Sequence, residues 1–184
     1  INIPLKELLL VVNDLCKKEY DNSNFQLYGR KGQTQYGIDG FIVNNDKKLI
    51  LHQCKSKLIS RDDNKIREEL INDIEKEVKS ANDEFVIIKK QEVQTFILAN
   101  PFKQDTFIQN KAIELTKKYS FEVVVWSWDE ITYRLDLHQD VAKQYFHQFY
   151  HSDIINIKEK NKILIEKIER LNISIKREIE DLQN

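Results

Sequence analysis

The chain's 184 residues carry 29 lysines and arginines against 30 aspartates and glutamates, a net charge of −1, so no global field draws in a polyanion. Its hydrophobic content of 41% suffices for a buried core, yet no run approaches the ~18 apolar residues of a membrane-spanning helix, and no secretory signal is visible. Cys16 and Cys54 are the only cysteines, too few for a disulfide framework or a four-ligand zinc site, and read as reduced, buried thiols of a cytoplasmic protein.

The chain starts at Ile1 and has no methionine, which reads as a piece of a longer protein. Leu5, Leu8, Leu9, Val12, Leu15 and Cys16 share one helical face, and Pro4 suits a first turn. All four glycines then fall within residues 29–40. The stretch "IDGFIVNNDKKLILHQCKSK" predicts two strands around a polar turn at Asn44–Lys48. Ile66, Leu70, Ile74, Val78 and Ala81 form the stripe of a helix over 64–83. "VQTFILAN" reads as a buried strand stopped by Pro101, and Ile108, Ala112, Leu115 and Tyr119 mark the next helix. "FEVVVWSW" is a further strand, with Trp126 and Trp128 assigned to core packing. Asp129 is placed to cap a helix through Leu135, followed by one near 139–150. The order predicts an α/β domain over 1–150, with one central mixed sheet flanked by helices.

Over 151–184, Ile154, Ile157, Asn161, Leu164, Ile168, Leu171 and Ile175 follow heptad spacing, with Ile179 and Leu182 resuming after a one-residue shift. This reads as a C-terminal coiled coil joining two chains, or as a helix packing on a further domain.

The chemistry concentrates in residues 21–57, where six cationic side chains stand against three aspartates. Gln53 and Lys55 are i and i+2 of one strand, so they share a sheet face while Cys54 points away. Asp39, on the neighbouring strand, can face the same spot. A carboxylate, an amide oxygen and the backbone carbonyl of Cys54 suit Mg²⁺ or Mn²⁺, which favour oxygen ligands. Lys55 then orients or deprotonates a water for attack on a phosphodiester. Arg30, Lys31 and Lys57 suit phosphate contacts. Gln33 and Gln35 suit a nucleic-acid backbone or base edge, or bond the turn's own backbone. His52 alternates to the opposite face and reads as structural, and His138, His147 and His151 as surface residues.

"GID" on one strand and "QCK" on the next resemble the PD-(D/E)xK, or restriction-endonuclease-like, superfamily. The glutamine resembles its Mrr-like QxK branch. "GRKGQTQYGID" is similar to the effector nucleases of prokaryotic antiphage defence proteins, and the resemblance spans residues 5–135. It implies a restriction-endonuclease-like core and a metal-dependent deoxyribonuclease centred on Asp39, Gln53 and Lys55. It also implies a sensor domain elsewhere in the full protein. A homodimer would set two sites against the two strands of DNA. Relatives complete the metal site with an acid on the first helix. Here that residue is Glu19, which falls on the apolar stripe, in preference to Glu7. Binding without cleavage, action on RNA, and an oligomerising scaffold are the alternative readings.

Overall fold

The computed structural model describes residues 3–21, 25–29, 33, 35–56 and 62–146. Helix α1 (Leu5–Glu19) starts directly after Pro4, whose carbonyl accepts from the Glu7 and Leu8 amides at 3.0 Å each. Lys17 and Lys18 close it, where cations suit the negative end of the helix. Its buried face is rotated from the expected one: Val11 and Asn13 are buried, whereas Leu5 is 49% exposed. Asn13 takes part because it meets a buried polar group on the sheet, described below.

Three strands follow: β1 (Gln26–Leu27), β2 (Gly40–Val43) and β3 (Leu49–Cys54). The polar turn falls as expected, with the Lys48 amide bonded to Asn44 Oδ1 at 2.8 Å. Asp62 caps α2 (Asp63–Ala81) by accepting from the Asn64 amide at 2.8 Å. Its predicted stripe of Ile66, Leu70, Ile74, Val78 and Ala81 is buried. The helix does not stop at 83. It widens into a π-helical stretch (Asn82–Ile88) that leads to β4 (Val93–Ala99). Asp105 caps α3 (Thr106–Lys118), and β5 (Glu122–Trp126) and α4 (Trp128–Leu137) complete the order.

The expected cap of α4 is corrected. Ser127 holds the cap position in extended conformation and its hydroxyl accepts from the Glu130 amide. Asp129 lies inside the first turn, and its carboxylate accepts instead from the Gln104 amide at 2.6 Å. Trp126 is buried at the end of β5, while Trp128 opens α4. Residues 139–146 are helical. The predicted coiled coil, with His147 and His151, lies outside the described residues.

The sheet is mixed and five-stranded, in the order β1-β2-β3-β4-β5. The first three strands pair antiparallel, and β3–β4 and β4–β5 pair parallel. Each parallel pair needs a crossover, which α2 and α3 supply. Alternation divides the sheet into two faces. Leu49 and Leu51 of β3, with Phe96 and Leu98 of β4, pack with Ile74 and Val78 of α2 and Ala112 and Leu115 of α3. His52, of opposite parity, meets Asn13 of α1 on the other face. At roughly 25 cal/mol per Å² of apolar area removed from water, this two-sided burial dominates the driving force for folding.

The chain divides into two compact units, Ile1–Val141 and Ala142–Asn184. Among the described residues no helix is long and apolar enough to cross a membrane.

Candidate active site at the end of the central hairpin

Asp39 lies one residue before β2 but is already held by sheet-type bonds on both sides. Its amide donates to the His52 carbonyl at 2.8 Å, and its carbonyl accepts from the Tyr28 amide at 2.8 Å. The backbone is thus tied to β3 and to the residue following β1. The side chain turns toward the end of β3. Asp39 Oδ2 accepts from the Cys54 amide at 2.8 Å and from Gln53 Nε2 at 2.9 Å. The same Gln53 nitrogen lies 3.3 Å from the Cys54 carbonyl oxygen. A carboxylate oxygen and a main-chain carbonyl oxygen therefore converge on one point, filled by the positive end of an amide dipole.

This arrangement fits a cation. A half-turn of the Gln53 amide exchanges Nε2 for Oε1, and the two ends of an amide are assigned from their hydrogen bonds. Asp39, Gln53 and the Cys54 carbonyl then offer three oxygens of the type that Mg²⁺ and Mn²⁺ favour. Burial raises the Asp39 carboxyl above its ordinary range. The Cys54 amide and the Lys55 charge pull it back, and the Glu77 charge adds to the rise. A half-buried carboxylate of this kind is stabilised by a nearby positive charge. Among the described residues, no three His, Cys, Asp or Glu side chains gather to hold a metal. The candidate set mixes a carboxylate with neutral oxygens.

Lys55 extends β3 by one further sheet bond, from its amide to the Ala99 carbonyl at 2.9 Å. Its ammonium meets Glu77 of α2 at 2.7 Å. Both side chains are largely shielded, at 21% and 12% exposed. The carboxylate of Glu77 therefore stands at the site although sequence reading passed over it. Its signal was present: Glu77 lies seven residues after Leu70 and four before Ala81, on the buried stripe of α2.

Glu19 has other company. Its carboxylate meets His138 Nε2 at 3.0 Å and Arg134 Nε at 3.9 Å, both from α4 or its C-terminal end. Ser56 Oγ donates to the Ile3 carbonyl at 3.1 Å, and Asn13 meets His52. Helix α1 thus runs antiparallel to β3, with its start near Ser56. Glu19 lies six residues past Asn13, about 9 Å further from that end. Its partners do not include Asp39, Gln53 or Lys55. Glu7 sits in the first turn of α1 and is exposed. His138 is paired rather than free at the surface.

His52 faces away from the candidate site, as its parity predicts. It is fully buried and stacks on Phe25 with ring centroids 4.8 Å apart. Nε2 lies 2.7 Å from Asn13 Oδ1, so this nitrogen carries the proton, and burial pushes the ring down to about 3. The Cys54 thiol lies 3.8 Å from Nδ1. Cys16 and Cys54 are free and buried, and burial raises both thiols. Both read as inert packing groups.

The glycine-rich approach to Asp39 is anchored at several points. Tyr36 and Gly37 have positive φ values of 49° and 79°, and the Ile38 amide bonds the Gln35 carbonyl at 3.0 Å. This is a tight turn of the kind that favours glycine. Gly37 is also pressed against α2: an added Cβ would meet the Glu77 carbonyl oxygen and Oε2 at 2.7 Å. Lys89, just past the π-helical stretch, donates to Tyr28 Oη at 2.8 Å and pairs with Glu84 at 3.0 Å. Its ammonium lies 4.5, 5.2 and 5.7 Å from the Phe85, Tyr28 and Tyr36 ring centroids. These contacts tie Tyr28 and Tyr36 to the π-helical stretch and the residue after it.

Gln35 bonds the turn itself, donating to the Tyr28 carbonyl at 3.1 Å, and Gln33 is exposed. Arg30, Lys31 and Lys57 lie outside the described residues. The basic stretch is also divided. Lys47 and Lys48 sit beyond Val43, at the far end of the hairpin from Asp39, and Lys48 pairs with Glu92 at 3.5 Å.

Comparison with protein-family models gives no match, and no curated protein matches the sequence.

Proposed function

We propose that the domain is a metal-dependent DNA endonuclease hydrolysing phosphodiester bonds, the effector part of a larger prokaryotic defence protein. The observation that carries this reading is the convergence of Asp39 Oδ2 and the Cys54 carbonyl on the Gln53 amide, with Lys55 on the same face. Asp39, Gln53 and the Cys54 carbonyl would hold Mg²⁺ or Mn²⁺. An ion held there would offset the phosphate charge and lower the pKa of a water, easing the loss of its proton to solvent as its oxygen attacks phosphorus. Lys55, fixed by Glu77, presents a positive charge to an incoming phosphate oxygen or orients the attacking water.

The test is cleavage of supercoiled plasmid with Mg²⁺ or Mn²⁺, comparing the parent with Asp39→Ala and Lys55→Ala. Each substitution is expected to slow cutting by about 100-fold or more. Equal cutting by all three proteins would remove the site assignment. Gln53, a neutral residue where a second acid would bind a cation more strongly, favours one alternative: binding nucleic acid without cutting. That reading predicts tight, salt-sensitive DNA binding with no cleavage at any metal concentration.

A further inference from the structure

We infer that Glu77 is the second acidic residue of the cation site, supplying from α2 the negative charge that the resemblance assigned to α1. This inference rests on the proposed cation site at Asp39.

The first observation is place. Glu77 Oε1 is 2.7 Å from Lys55 Nζ, and Lys55 lies two residues past Gln53 on the same face of β3. The second is packing. Oε2, the other carboxylate oxygen, lies against Gly37, two residues before Asp39. One carboxylate thus touches both chain segments that frame the site.

The third observation is a neighbouring donor. Asn100 lies two residues past Leu98 and keeps a sheet bond to β5 through its amide and the Trp126 carbonyl, at 2.9 Å. By alternation it shares the face of Leu98, and the strand pairing sets it beside Lys55. It is 1% exposed. Its Oδ1 accepts from the Phe102 amide, which fixes the side-chain orientation and leaves Nδ2 without a partner among the described residues. A buried donor without an acceptor is costly. The register of β4 against β3 places this buried donor next to Lys55.

Charge sets the expectation. Asp39 and Glu77 carry two negative charges, and Lys55 offsets one of them, so a divalent cation meets a favourable net field. Glu19 is occupied by α4 groups and contributes none of this.

Calorimetric titration with Mn²⁺ tests the inference on the parent, Asp39→Asn, Glu77→Gln, Glu77→Asp and Glu19→Gln. Glu77→Gln keeps the shape and an acceptor for Lys55 while removing the charge. We expect Asp39→Asn to abolish binding, and Glu77→Gln to weaken it at least 10-fold. Glu77→Asp should stay within about threefold of the parent, a rescue by charge that a packing role would not give, and Glu19→Gln should match the parent. Loss in Asp39→Asn together with parental affinity in Glu77→Gln would overturn the role of Glu77 while leaving the site in place. No Mn²⁺ binding by the parent would overturn both. Should Glu77→Gln fail to melt cooperatively, the parent protein labelled with ¹³C in its carboxyl groups carries the test. Mg²⁺ is expected to shift the Asp39 and Glu77 signals together. A shift at Asp39 alone would refute the inference.

Discussion

Gly37→Ala perturbs the contact between the glycine-rich turn and α2, and its cost follows from the geometry. Gly37 has a φ of +79°, and placing alanine in that region costs about 1 kcal/mol or more. The new methyl would also sit 2.7 Å from the Glu77 carbonyl oxygen and 2.9 Å from its Cα, both on a helix backbone that cannot swing aside. Overpacking of this kind costs a further ~1–3 kcal/mol. The total is about 2–4 kcal/mol. Gly29→Ala is the internal control: its φ is +72°, but the nearest atoms to an added Cβ lie at 3.6 Å or beyond, on glutamine side chains. It carries the backbone strain without the clash and should cost about 1 kcal/mol. Urea unfolding measures both, read as a shift in midpoint at unchanged slope. If Gly37→Ala is no more destabilising than Gly29→Ala, the close packing of the turn on Glu77 is refuted.

Two further predictions concern the opposite face of the sheet. His52 is held neutral when folded, at about 3 against an ordinary 6.5, so below 6.5 the unfolded chain binds the extra proton and stability falls. About 2 kcal/mol should be lost between pH 7 and pH 5. Asp39, whose carboxyl is raised in the folded state, works in the opposite direction as pH falls toward the carboxylate range. Urea midpoints at pH 7, 6 and 5 should show a slope that His52→Leu flattens, and an unchanged slope in that variant would contradict the assignment. Asn13→Ala strands the buried Nε2–H of His52 and should cost about 1–3 kcal/mol in the same assay at pH 7; a cost below 0.5 kcal/mol (roughly the effect of a neutral surface change) would show that the bond does not matter.

The hairpin was legible because period-2 alternation carries through "FIV" and "LILHQC". That parity also sent Gln53 and Lys55 to one face and His52 to the other. The helices of the parallel half were legible from their apolar stripes, since Ile66 through Ala81 keep one period along α2. The π-helical stretch was not, because Asn82–Ile88 follow that stripe without any glycine or proline to mark a change of pitch. Strand β1 has only two residues, both exposed, and leaves no alternation to read. The α4 cap was misplaced because serine and aspartate both suit a cap, and only the turn after β5 decides which reaches the first amides. Helical phase alone favoured Glu19, but phase does not reveal which element a face packs against. The ion pairing with α4 depends on the tertiary arrangement. Glu77 was hidden by the composition of α2, whose many acidic residues made one buried member look like its solvated neighbours.

The account rests on a cation held at Asp39. Crystals soaked in Mn²⁺ and measured at an energy where manganese scatters anomalously test it most directly. The account predicts an anomalous peak in contact with the Asp39 carboxylate, the Gln53 amide oxygen and the Cys54 carbonyl. It also predicts that the peak is lost in Asp39→Asn crystals. A Mn²⁺-saturated crystal with no peak at Asp39, or with one that persists unchanged in Asp39→Asn, would contradict it.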